Sequence, residues 1–168
     1  MRRRARLGGG LALLLALAGA RPALADKPEL QTIKHAKSGL QLDAPTRWRV
    51  NPSGPDKLEL GNDDNELVFY AWATAAPDLA EAMDGLDKQL GKVLDDPTYD
   101  GQFEKTKLHG APAYLFHGKG TAENAEVVFH GAMILLDAPV VVVAYGPAET
   151  FKAAKDELDA MIRSVRKL

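Results

Sequence analysis

The run from Pro139 to Val165, PVVVVAYGPAETFKAAKDELDAMIRSV, leaves a chain little freedom. Four consecutive valines suit a strand from Val140 to Tyr145 that is covered on both faces, because β-branched side chains pack well on a pleat. Gly146-Pro147 turns the chain, and an amphipathic helix begins near Ala148. Its apolar residues Phe151, Ala154, Leu158, Met161, Ile162 and Val165 recur at spacings of three and four. They form one stripe, which needs a sheet to cover. A helix laid back over its own strand is a signal of fold and carries no chemistry.

The chemistry of the N-terminus concerns address. Arg2, Arg3, Arg4 and Arg6 precede an apolar run from Leu11 to Ala18, and Ala23-Leu24-Ala25 supplies small residues where a signal peptidase cuts. These are the three regions of a secretory signal peptide over residues 1–25, with Asp26 as the mature N-terminus. A membrane anchor is the alternative, but the apolar run is far shorter than the roughly 20 residues that span a bilayer. Arg3-Arg4 lacks the longer twin-arginine motif, so general secretion is expected. Cleavage removes five arginines and no acids, moving the net charge from −2 to −7. An acidic domain repels nucleic-acid phosphates and anionic membrane surfaces, so neither is an expected partner. There is no cysteine, which excludes disulfides, thiol catalysis, cysteine-ligated zinc and a lipid anchor at the cleavage site. The expected mature protein is soluble, periplasmic or extracellular, with no stable membrane insertion.

Residues 26–38 read as a polar lead-in, with a short strand possible over Ile33 to Ser38, and one domain is expected over 39–168. Leu40-Gln41-Leu42, Leu58 to Leu60 and Leu67 to Thr74 alternate as strands. Pro77 opens a helix whose stripe is Leu79, Met83, Leu86, Leu90, Val93 and Leu94, weakened by Gly85 and Gly91. Asp95 to Gly101 reads as a loop. Four strands follow, Phe103 to Leu108, Ala113 to Gly120, Glu126 to Leu136 and Val140 to Tyr145, joined by connections short enough to force antiparallel neighbours. Strands, helix, strands, helix in that order predict an α+β sandwich.

Three stretches carry a resemblance. Gly39-Leu40-Gln41-Leu42-Asp43-Ala44-Pro45 followed by Trp48, the turn His109-Gly110-Ala111-Pro112-Ala113, and Val143-Ala144-Tyr145 with Phe151, Ile162 and Ser164-Val165 together resemble the PsbP-like family, in matching order over nearly the whole mature chain. The resemblance implies a mainly antiparallel sheet sandwiched by helices. Members include a photosystem extrinsic subunit, a Ran-binding nuclear factor and secreted bacterial proteins of unknown role. The best-understood of them act by docking onto other proteins, and none of their contact residues maps onto a position here.

Candidate chemistry is sparse. Ser38, Ser53 and Ser164 are the only serines, and none lies in G-x-S-x-G. Gly85 to Lys92 has the wrong spacing for a phosphate loop and lies within a helix. If Glu123-Asn124 is a two-residue turn, His117 lies opposite His130 on one sheet face, close enough for both imidazoles to reach one zinc or copper ion. Two hydrogen-bonded histidines on a partly buried sheet are the plainer account. The acidic turn with Asp63, Asp64 and Glu66 has carboxylates for calcium without EF-hand spacing, and a solvated hairpin turn explains it as well. Tyr70 and Trp72, with Tyr114 and Phe116 on another strand, line either an aromatic groove for a ligand or partner or simply the core. The expected function is therefore an exported, non-enzymatic binding or docking protein whose partner is an envelope or secreted protein. Its alternatives are a metal-binding protein using the histidine pair and a hydrolase with unrecognised carboxylates.

Overall fold

The computed structural model describes residues 28–168, so the expected signal peptide lies outside the described residues. Alternation along the valine run divides the interior in two. Val140 and Val142 point into one apolar core, Val141 and Val143 into another, and all four are wholly buried. Each buried valine contributes roughly 1.5–3 kcal/mol relative to an exposed one. The double coverage expected of this strand is what the structure has.

The strands are β1 (Leu30–His35), β2 (Leu40–Pro45), β3 (Arg49–Asn51), β4 (Leu58–Gly61), β5 (Val68–Ala73), β6 (Asp95–Tyr99), β7 (Glu104–Leu108), β8 (Ala111–Ala122), β9 (Ala125–Leu135), β10 (Pro139–Gly146) and β11 (Arg166–Lys167). The helices are α1 (Leu79–Asp84), α2 (Leu86–Leu90), α3 (Ala148–Ala153) and α4 (Lys155–Ser164). An eight-stranded sheet runs β3-β4-β5-β10-β9-β8-β6, with β7 also paired to β8. A three-stranded sheet runs β1-β2-β11. Every pairing is antiparallel. The α+β sandwich expected from the order of elements is the observed architecture.

On one face of the large sheet lie α3, α4 and the small sheet. Leu40, Leu42, Trp48, Phe151, Leu158, Met161 and Ile162 fill that core. On the other face α1 and α2 cover Trp72, Phe116, Phe129 and Met133 with Leu86 and Leu90. The connection from β2 to β3 is tied to α4 by Trp48 Nε1, which donates to Glu157 Oε1 at 2.8 Å, while Arg47 pairs with the other oxygen of the same carboxylate.

Four local expectations are corrected. The first expected helix is broken at Gly85, where the ψ of 7° leaves the helical range, and Asp78, not Pro77, caps its start by accepting from the Glu81 N–H at 2.9 Å. The last helix also breaks, at Ala154. The polar lead-in contains β1, which pairs along all of β2, and Ala36–Ser38 form a 3-10 turn instead of prolonging a strand. The expected loop after α2 is β6, hydrogen-bonded to the distal half of β8 through a bulge at Asp96, whose φ is +47°.

Candidate functional site

Two short elements determine where the surface opens. Helices α3 and α4 pack across β9 and β10, and α4 also contacts β2, which leaves the outward part of β8 uncovered on that face. The step down from helix to sheet is a cleft of about 480 Å³. Leu115, Val128 and Phe151 give it an apolar floor and wall. His117 and His130 rise from the sheet, Lys152, Lys155 and Arg163 line the helix side, and Asp100 and Glu104 line the opposite side.

The hairpin that supplies the floor is set by its turn. Glu123 and Asn124 both have positive φ, +52° and +65°, the geometry of a two-residue type I′ turn. Pairing then runs from Ala122–Ala125 through Lys119–Val128 to His117–His130. The structure thus places the two histidines directly opposite each other, with ring centres 6.3 Å apart and ring planes at 87°. His117 is exposed, whereas His130 is largely covered by α4.

Asp159 is the residue that the sequence did not reveal. It stands on α4 beside the buried Leu158, one turn after Lys155, whose ammonium it holds at 2.9 Å. Its Oδ1 lies 2.5 Å from His130 Nδ1. That oxygen is buried and has no other hydrogen-bond partner among the described residues, so the imidazole proton belongs on Nδ1. Burial pushes the His130 ring below its usual range. Asp159 pulls it upward, His117 and Lys155 push it further down, and the ring is held neutral at pH 7. Burial pushes Asp159 up, but Lys155 and His130 outweigh it and the carboxyl stays below its ordinary value. A neutral ring fixed through Nδ1 presents an unprotonated Nε2.

The other candidates lie apart from this cleft. Trp72 is buried beneath α2 and donates to Gln89 Oε1 at 2.9 Å. Tyr70 packs on Tyr145 with ring centres 5.9 Å apart, under the Lys57 ammonium 4.2 Å from its centre. Both aromatics belong to the α1–α2 side of the sheet. Phe116 joins Tyr99, Phe103 and Phe129 in an edge-to-face cluster on that same side, one of whose members, Tyr99, falls in the stretch expected to be loop. The acidic turn is exposed, and its carboxylates face different partners: Asp63 lies 3.6 Å from Arg49, and Glu66 accepts from Thr150 at 2.8 Å. Among the described residues, no three histidine or carboxylate side chains gather as a metal cluster.

The serines are structural. Ser38 Oγ meets His35 Nδ1 at 2.8 Å, Ser53 Oγ donates to Lys57 O at 2.6 Å, and Ser164 Oγ donates to Met161 O at 2.7 Å while accepting from the Asp43 N–H. Among the described residues, no helix is long and apolar enough to cross a membrane.

No protein-family model matches the sequence, and no curated protein does. Solved structures do match. The solution structure of cyanobacterial PsbP from Synechocystis aligns over 90% of this chain and 99% of its own, at 10% identity and a TM-score of 0.62. LpqN, described as involved in cell envelope biogenesis of Mycobacterium tuberculosis, aligns over 82% of this chain and 89% of its own, at 14% identity and a TM-score of 0.51. With an antiparallel sheet held between helices on one side and helices plus a small sheet on the other, the chain has the PsbP-like fold.

Proposed function

We propose that this is an exported, non-enzymatic docking protein that engages an envelope or secreted protein through the cleft between β8–β9 and α3–α4. The observation that carries the reading is the cleft itself. It combines an apolar floor with a basic wall and an acidic wall, a surface that can take an apolar side chain and read charge on either side of it. Export rests on the arginine-rich N-terminus and its apolar run. Binding without catalysis is supported by the three serines, each held in a local structural hydrogen bond. The description of LpqN concerns that protein, and it gives envelope work as a precedent on this fold.

The test places a photo-crosslinking residue at Lys152, on the cleft wall, and separately at Lys88, exposed on the far side of the molecule. In cells that export the protein, the Lys152 position is expected to capture one dominant envelope or secreted protein that the Lys88 position does not. Equal capture from both positions, or none at Lys152 beside a working positive control, overturns the proposal.

A further inference from the structure

The cleft holds a second kind of information, in the atoms of its floor. His117 and His130 occupy directly paired positions on β8 and β9 and turn toward the same opening. A metal bonded to one imidazole nitrogen at about 2.0–2.1 Å sits roughly 3.2 Å from that ring's centre. Two rings sharing one metal therefore have centres about 5–6.5 Å apart, depending on the angle at the metal. The observed 6.3 Å lies at the wide end of that span, where the two nitrogens stand nearly trans as in a square-planar copper(II) site. A tetrahedral zinc ion, at roughly 5.2 Å, requires the exposed His117 ring to turn inward.

A paired register alone would not select a metal. The second observation is the placement of Asp159 behind His130, with Oδ1 2.5 Å from Nδ1. A carboxylate on the far nitrogen fixes the tautomer and ring orientation of a metal-ligating histidine and raises its basicity. Here the carboxylate comes from a different element, α4, and is itself steadied by Lys155 at 2.9 Å. The nitrogen left free is Nε2.

We propose that His117 and His130 bind one late first-row divalent metal, copper(II) or zinc, with Asp159 acting as a positioning residue behind His130. Imidazole donors suit these ions, and copper(II) stands highest in the affinity order. Two protein nitrogens leave further coordination positions for water or for a donor group on a bound partner. The inference rests on the cleft being the binding site, and it gives that cleft a ligand of its own.

The test is a zinc titration followed by thermal unfolding of the full-length exported protein, with His117→Ala, His130→Ala and Asp159→Asn alongside. His117 is exposed, so its alanine variant should fold as wild type does. Zinc at ~100 times its Kd is expected to raise the wild-type Tm by about 5–10 °C and to leave His117→Ala and His130→Ala unmoved. Asp159→Asn is expected to bind 10–100-fold more weakly. Imidazole ¹⁵N NMR of the metal-free protein separates positioning from mere folding: the Nδ1–H tautomer of His130 should dominate in wild type and lose that dominance in Asp159→Asn. Equal zinc shifts in wild type and His117→Ala overturn the site, and so does no shift in wild type. Unchanged affinity or an unchanged tautomer in Asp159→Asn overturns the role of Asp159. Selective capture at Lys152 together with a blank metal titration overturns the metal assignment alone and leaves the docking cleft standing.

Discussion

Asp43 shows how much of this fold hangs on single polar residues. Its carboxylate accepts both terminal nitrogens of Arg166, at 2.9 and 3.0 Å, and the Thr32 hydroxyl at 2.7 Å, while its backbone N–H donates to Ser164 Oγ. One residue thereby joins β1, β2, the end of α4 and β11. The Arg166 guanidinium, helped by Thr32, holds the carboxyl below the usual carboxylate range against the opposing effect of burial. The folded pKa lies below the unfolded value of about 3.9, so this contribution is present above that value. It is lost as pH falls through the folded pKa. Asp43→Asn is expected to lower Tm by a few degrees at pH 7, and the gap from wild type should close as pH drops below about 4. Thermal melts across that range check it, and a gap that does not change with pH would assign the effect to packing. At this scale the sequence is a poor guide. Asp43 and Arg166 are 123 positions apart, as His130 and Asp159 are 29, and no local pattern marks either pair.

Elements were more legible than residues, and for a physical reason. The valine run and the stripe Phe151, Ala154, Leu158, Met161, Ile162 and Val165 announce burial through spacing alone, and the structure buries all of them but Ala154, which is half-buried at the break between α3 and α4. The opposition of His117 and His130 was equally legible, because period-two geometry and a two-residue turn determine every pair along a hairpin. What stayed hidden was what composition disguises. The stretch Asp95-Asp96-Pro97 reads as loop, yet a bulge absorbs the misfit and the residues around it still pair with β8. The type I′ turn carries a cost of its own, since Glu123 is a poor residue at a φ of +52°. Glu123→Asn is expected to stabilise the protein by about 0.5–1 kcal/mol, or roughly 2–4 °C in Tm, because asparagine accepts the left-handed region more readily. A fall in Tm on that substitution would show that Glu123 makes a contact worth more than the strain.

Across the whole molecule, the large sheet ends unlike most open sheets. One margin is β3, three residues long with exposed Arg49 and Val50. At the other, the twelve-residue β8 has its outer side divided between two separate strands. Of these, β6 carries Pro97 and the bulge at Asp96, and β7 carries the exposed lysines Lys105 and Lys107. Interruption, proline and lysine are the features that keep a sheet from accepting another strand. Replacing both lysines, as Lys105→Thr with Lys107→Val, is expected to leave the monomer's Tm within about 1–2 °C while promoting concentration-dependent aggregation, read by light scattering. Scattering equal to wild type would show that β7 is not the guarded margin. The division of β8 therefore limits how that margin of the large sheet can be recognised. With backbone templating discouraged along both margins of the large sheet, an encounter there is decided by side-chain chemistry.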